Sequence, residues 1–151
     1  MFDGGRMRYR LKRICLLVLI ALVPGLAWAE RMAVVAETAN VRTGPGTDYE
    51  VAWQIGRYHP VEVIKKEGKW YLLKDFENDQ GWIYSPLVGK ISTVVVKKGD
   101  CNVRSGPSTS DEVLFKVDSG VPFKVKKRKE SWLNIVHDDG DEGWIHKSLV
   151  W

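Results

Sequence analysis

The sequence has 151 residues, with 23 Lys+Arg against 19 Asp+Glu and a pI near 9.1, which on its face describes a basic protein. Five of the 23 bases (Arg6, Arg8, Arg10, Lys12, Arg13) and one of the 19 acids (Asp3) fall in the first 29 residues, so residues 30–151 carry 18 of each. A chain with no net charge has no electrostatic footprint for phosphate backbones, which excludes nucleic acid as a main partner.

Residues 1–29 read as an address. Arg6 to Arg13 form a positive stretch, Ile14 to Val23 are continuously apolar, Pro24-Gly25 breaks any helix, and Ala27-Trp28-Ala29 is an A-x-A cleavage signal. This is the layout of a secretory signal peptide. A membrane anchor is the alternative, but the apolar run at ~1.5 Å per residue covers about half of a ~30 Å hydrocarbon core. Cys15 lies at the start of the apolar run, away from the cleavage site, which argues against a lipoprotein. The expectation is export to the periplasm or cell envelope, with no membrane span after cleavage. Cys15 then leaves with the signal, so Cys101 remains alone and no intramolecular disulfide can form. A lone Cys could be a nucleophile only with a base in reach; otherwise it is a small buried apolar residue.

An internal repeat organises the chain beyond residue 29. At an offset of 62 residues, Val34 to Val88 align with the second half without a gap, and about a third of the positions are identical. Asn40-Val41-Arg42-Thr43-Gly44-Pro45 falls on Asn102-Val103-Arg104-Ser105-Gly106-Pro107. Pro60 meets Pro122, Trp70 meets Trp132, and Gly81-Trp82-Ile83 meets Gly143-Trp144-Ile145. Two copies are too few for a solenoid, so each must bury its own core. The domains expected are 30–89 and 90–151, behind a signal peptide over 1–29.

Each copy reads as β. Val51, Trp53 and Ile55 alternate with Ala52 and Gln54, as Val113, Phe115 and Val117 do in the second copy. Val61 and Val63 flank Glu62, as Phe123 and Val125 flank Lys124, while Tyr71 and Leu73 correspond to Leu133 and Ile135. Period two at matching registers is a strand signal. Gly44-Pro45, Gly56 to Pro60, Glu67-Gly68 and Asn78-Asp79 separate the strands, and Asp139-Gly140 reads as a two-residue hairpin turn. Short strands in so small a unit predict an all-β fold of two tandem small barrels, closed so that no edge is left open. The same period puts Cys101 in phase with Val103, as Ala39 is with Val41, hence at a core position. Trp70, Trp82 and Tyr84 point the other way, as do Trp132, Trp144 and His146. They either cap the barrel ends or form an exposed aromatic groove of the kind that marks binding sites.

The Asn-Val-Arg-Thr/Ser-Gly-Pro segment, the Trp70 and Trp132 strands and the terminal Gly-Trp-Ile with Leu-Val resemble the bacterial SH3-like domain, present twice and covering 33–151. The resemblance implies a small, partly opened barrel of five to seven strands with a short helical turn over residues 85–88 and 147–150. It also implies an exported protein of the kind found beside cell-wall hydrolase domains, several members of which grip peptidoglycan peptides. The SH3 groove carried onto this chain comprises Tyr49, Trp70, Tyr84 and Leu87 in copy one. In copy two it comprises Asp111, Trp132, His146 and Leu149, without an aromatic at the Tyr49 position.

No catalytic constellation can be assembled. His59, His137 and His146 occupy unrelated registers, and no HExxH or G-x-S-x-G occurs. A unit of ~60 residues buries only ~60% of its surface, which favours a shallow groove over a closed catalytic pocket. The acidic run Asp138, Asp139, Asp141 and Glu142 offers carboxylates for weak Ca²⁺ binding as an alternative, but, like Asp75, Glu77 and Asp79 in copy one, it has no EF-hand spacing and reads as a solvated loop. Lys124 and Lys126 to Lys129 read as a solvated strand, with anionic wall polymers as the alternative contact. The expectation is a non-catalytic binding module, without cofactor or metal, that docks on peptidoglycan or an envelope peptide. A structural or regulatory subunit of an envelope complex, with an envelope protein as its partner, is the alternative. The leader gives the first test: mass spectrometry of the mature protein should find Glu30 at its N-terminus, and retention of Arg13 would overturn cleavage after Ala29.

Overall fold

The computed structural model describes residues 29–151, so the leader expected over 1–29 lies outside the described residues, Ala29 excepted. The first sheet is built from β1 (Glu30–Val34), β2 (Thr38–Arg42), β3 (Val51–Gly56), β4 (Pro60–Glu67), β5 (Trp70–Lys74), β6 (Gln80–Tyr84) and β7 (Val88–Gly89). A single 3-10 turn, Ser85–Leu87, joins β6 to β7. The second sheet repeats the plan with β8 (Thr93–Val95), β9 (Cys101–Arg104), β10 (Val113–Val117), β11 (Pro122–Lys129), β12 (Trp132–Val136), β13 (Glu142–His146) and the turn Lys147–Leu149. The strand orders are β3-β2-β6-β5-β4-β1-β7 and β10-β9-β13-β12-β11-β8, antiparallel throughout. The all-β expectation is met, twice over, by one small SH3-like architecture.

The expectation of a closed barrel needs correcting. No ladder joins the two edge strands of either sheet, β3 with β7 or β10 with β8, so each wraps around its core and stays open along one seam. A bulge falls at the same point in both copies, between Val63 and Lys65 and between Val125 and Lys127. An extra residue there bends the longest strand and tightens its twist, which lets so short a sheet curl over itself. The inner faces supply Val34, Val41, Val61, Val63, Leu73 and Ile83 in one core and Val96, Val103, Phe123, Ile135 and Ile145 in the other.

Two further readings of the period are corrected. Val51 and Val113, expected to face inward with Trp53 and Phe115, are 44% and 40% exposed. The ladder between β2 and β3 shifts register just there, as does that between β9 and β10, which turns the first residue of the strand outward. Nor is Asp139-Gly140 a two-residue turn. The β12–β13 connection runs from His137 to Asp141, with Gly140 at φ +101° and the Gly140 N–H bonded to the His137 carbonyl at 3.0 Å. Its counterpart Asn78 takes the same left-handed conformation at φ +70°, which Asn tolerates better than most residues.

Gly81 explains why the Gly-Trp-Ile motif begins with glycine. A Cβ there would collide with Val41 and reach 2.9 Å from the Trp53 ring and 3.2 Å from the Arg42 carbonyl; at Gly143 it would collide with Val103. Strands β2 and β6 can approach only without that atom. Gly81→Ala should therefore lower stability by about 1–3 kcal/mol, the range for overpacking a tight core, read as a lower urea midpoint. An unchanged midpoint would show that β6 can shift freely.

Cys101 is 5% exposed, and its thiol donates to the Lys98 carbonyl at 3.1 Å. Burial, and then the Asp100 charge, push the thiol above its ordinary pKa, with Lys98 opposing. A protonated, enclosed thiol is a poor nucleophile. Native protein should accordingly react with dithionitrobenzoate far more slowly than urea-unfolded protein. Equal rates would refute the packing.

Candidate functional site: two related aromatic grooves

The antiparallel register of β5 and β6 places Trp70 opposite Tyr84, and their rings meet at 5.6 Å with a 54° tilt. Tyr84 is 37% exposed and leads into the turn, where the Ser85 N–H bonds to the Lys69 carbonyl at 2.9 Å and Pro86 stiffens the chain ahead of Leu87. Trp70, Tyr84 and Leu87 thus form one wall of a groove of about 760 Å³. Its other wall is the loop Gly46–Asp48, and Thr38, Asn40, Arg42 and Gln54 line it from β2 and β3.

Arg42 shapes the loop wall. Its guanidinium donates to the carbonyls of Thr47 at 3.2 Å and Tyr49 at 2.8 Å, and Arg104 does the same to the Asp111 carbonyl at 2.9 Å. The Arg of the Asn-Val-Arg motif therefore organises the groove in both copies, a role that strand phase does not assign to it. Its neighbour on the floor, Asn40, accepts a hydrogen bond from Gln54 Nε2 at 2.7 Å, which fixes both amides.

The resemblance puts Tyr49 in the groove beside Trp70. The structure gives its ring another place: it lies against Gly44 and Gly46, where a Cβ on Gly44 would collide with it, and it is 49% exposed and absent from the groove lining. In copy two the Asp111 carboxylate lies over Gly106 in the same way. Loop backbone lines the groove in place of the Tyr49 ring.

Copy two brings Trp132, His146 and Leu149 together around a smaller groove of about 330 Å³. The Trp132 and His146 rings meet edge-on at 5.3 Å. The His146 Nδ1 accepts the Ser148 N–H at 3.3 Å and lies 2.7 Å from the Ser148 hydroxyl, a tie that Pro86 denies to Tyr84 in copy one. Lys116 and Asp100 replace Gln54 and Thr38 and form an ion pair at 2.8 Å. Among the described residues this leaves the buried Asn102 Oδ1 with no hydrogen-bond partner, whereas Asn40 has one. Cys101 and His146 both border this groove, but the thiol is bonded to Lys98 and the imidazole to Ser148.

The other groups singled out in the sequence have local roles. Trp82 faces outward away from the groove lining, beneath Lys65 at 5.6 Å. His59 packs on Phe76 and His137 on Phe123, and burial holds His59 below its ordinary pKa against the pull of Asp75. The carboxylates of Asp75, Glu77 and Asp79 lie within 4.8 Å of one another. Buried Asp75 already accepts the Glu77 and Asp79 N–H groups at 2.9 Å each, which makes it the template of its loop. In the acidic run of copy two, the Asp141 N–H and then His137 hold Asp139 below the usual carboxylate range. Among the described residues no helix is long and apolar enough to cross a membrane.

The chain is 27% identical over 158 residues to the Bacillus subtilis (strain 168) protein named "Putative N-acetylmuramoyl-L-alanine amidase YrvJ". The match covers 95% of this chain but only 30% of that protein. Among solved structures, an NlpC/P60 family protein from Bacillus cereus ATCC 10987 aligns with a TM-score of 0.40 and 13% identity, over 81% of this chain and 56% of its own. NlpC2 from Trichomonas vaginalis aligns with a TM-score of 0.36 and 11% identity, over 82% and 49%. The bacterial SH3 domain model matches twice, over residues 35–90 and 97–151, and the chain belongs to that family as a tandem pair.

Proposed function

We propose that this chain is an exported, non-catalytic binding module that docks on peptidoglycan peptides through the groove of its first repeat. The observation that carries the reading is the Trp70–Tyr84 wall facing a polar floor and a loop backbone across an open groove. Flat rings suit the Cα faces of an extended peptide. The Asn40–Gln54 amides and the loop carbonyls and N–H groups suit its backbone. Peptides offer little volume and many hydrogen-bonding groups, so a shallow groove of this kind serves them better than a deep cavity would. A relative printed as a putative N-acetylmuramoyl-L-alanine amidase supports the wall over a folded envelope protein as the partner.

The second repeat is the weaker binder in this reading. Its groove holds less than half the volume, and its lining carries Asp100, paired with Lys116, where the first has Thr38.

Sedimentation with purified sacculi tests the proposal. The mature protein should pellet, and Trp70→Ala should weaken binding by about 1–3 kcal/mol, roughly 5- to 150-fold, as for an aromatic hot spot. Trp132→Ala should cost less. Protein that stays in the supernatant would sink the wall reading in favour of a protein partner in the envelope, and equal losses from the two Trp variants would contradict the asymmetry.

A further inference from the structure

A second cavity, of about 460 Å³, opens where the first repeat meets the second, and three cations line it: Arg31 from β1, Arg128 from β11 and Lys147 from the last turn. Among the described residues none of the three is in an ion pair. The Arg31 guanidinium sits over the Trp151 ring, its Cζ 3.9 Å from the centroid, so it is held in place before any ligand arrives. Burial lowers its pKa; Glu62, its cross-strand partner and itself paired with Lys74 at 2.9 Å, raises it, and the Arg128 charge lowers it to a lesser degree.

The repeat supplies an internal control for what this cavity lacks. Under the 62-residue offset, Arg128 corresponds to Lys66 and Ser92 to Glu30. In the first repeat the Glu30 carboxylate takes Lys66 at 3.0 Å and Lys90 at 2.6 Å, and these two lysines hold it below the usual carboxylate range. In the second repeat Ser92 stands in that place and offers Arg128 only a neutral hydroxyl at 2.9 Å. The position holds a carboxylate in the first repeat and a neutral hydroxyl in the second.

We propose that this cavity is a carboxylate-binding site that takes the free C-terminal carboxylate of a peptide. Arg31 and Arg128 supply N–H donors in the fork geometry that carboxylates match, and Lys147 adds charge. The ligand's carboxylate replaces the one that Glu30 provides in the first repeat. The cavity is far larger than a carboxylate alone and is bordered by Leu133 and Val150, which leaves room for the terminal side chains of a peptide. The site is separate from the aromatic groove, and Trp70→Ala should leave it unchanged.

Calorimetric titration of the full chain with N-acetyl-alanyl-alanine, as free acid and as C-terminal amide, tests the assignment. The acid should bind saturably and the amide about tenfold or more weakly. Arg31→Gln and Arg128→Gln should each weaken the acid by about tenfold. Ser92→Glu, which restores the carboxylate of the first repeat, should abolish binding while the urea midpoint stays at or above that of the parent chain. Equal affinity for acid and amide, no saturable binding of the acid, or unaltered affinity in both Arg128→Gln and Ser92→Glu would overturn the proposal. Tighter binding of inorganic phosphate than of the acid would overturn the peptide-carboxylate assignment.

Discussion

Each repeat depends on a close approach between segments far apart in sequence. Strand β6 meets β2 at a single registered pair, Arg42 with Trp82, and β13 meets β9 at Arg104 with Trp144. Gly81 and Gly143 make the approach possible by having no Cβ to strike Val41 and Val103. The residue at that pair also reaches the other way: Arg42 and Arg104 use their guanidinium groups to hold the loop that walls the groove. Closing the core and shaping the site are therefore one event. A sheet of this length has too little area to tolerate a loose β2–β6 junction, because a small domain buries a modest fraction of its surface.

Upon this shared frame the two copies have diverged at the places where side chains leave the core. The aromatic wall is kept in outline, as Trp70 with Tyr84 and Trp132 with His146. The floor is not. An amide pair, Gln54 with Asn40, becomes an ion pair, Lys116 with Asp100, and the Asn102 oxygen loses its donor. An exposed ion pair contributes little to stability, about 0–1 kcal/mol, while a buried acceptor left unsatisfied costs more than that. The second floor is therefore less settled energetically as well as narrower, and the first is the better-finished surface.

Most of the fold was legible because two copies of one pattern cancel each other's accidents. Val63 over Val125, Leu73 over Ile135 and Ile83 over Ile145 mark the inward face with no structural information, and all six are buried. The departures arose where backbone geometry breaks the count of two. The register shift beside Val41 turned Val51 outward, and the loop from His137 to Asp141 replaced a tight turn. Neither is encoded in hydrophobic period. The site was legible in part: Trp70, Tyr84 and Leu87 lie together, as do Trp132, His146 and Leu149. Tyr49 went elsewhere because an aromatic ring can cover the flat face of Gly44 and Gly46, which strand phase does not describe. Arg42 and Gln54 were missed as groove residues, although the repetition of Arg104 in a loop-flanking motif was a signal for the first.

The contact between the repeats obeys a different logic from the contacts within them. Arg57 and Asp138 meet at 2.9 Å with both side chains more than a third exposed, and a pair so wet is worth little. The Arg31–Trp151 stack is the more specific link, since a guanidinium on an indole face is oriented as well as attracted. Arg31 also feels the Arg128 charge across the cavity, which works against the link, while Glu62 on the neighbouring strand works for it. An anion between the two guanidinium groups would reverse that sign, turning a like-charge contact into two attractive ones. A ligand that binds only when both repeats present their cations must, by linkage, favour the arrangement that brings them together. The junction is then the one place among the described residues where binding and domain arrangement are thermodynamically the same variable. The grooves, each built within a single repeat, are free of that coupling.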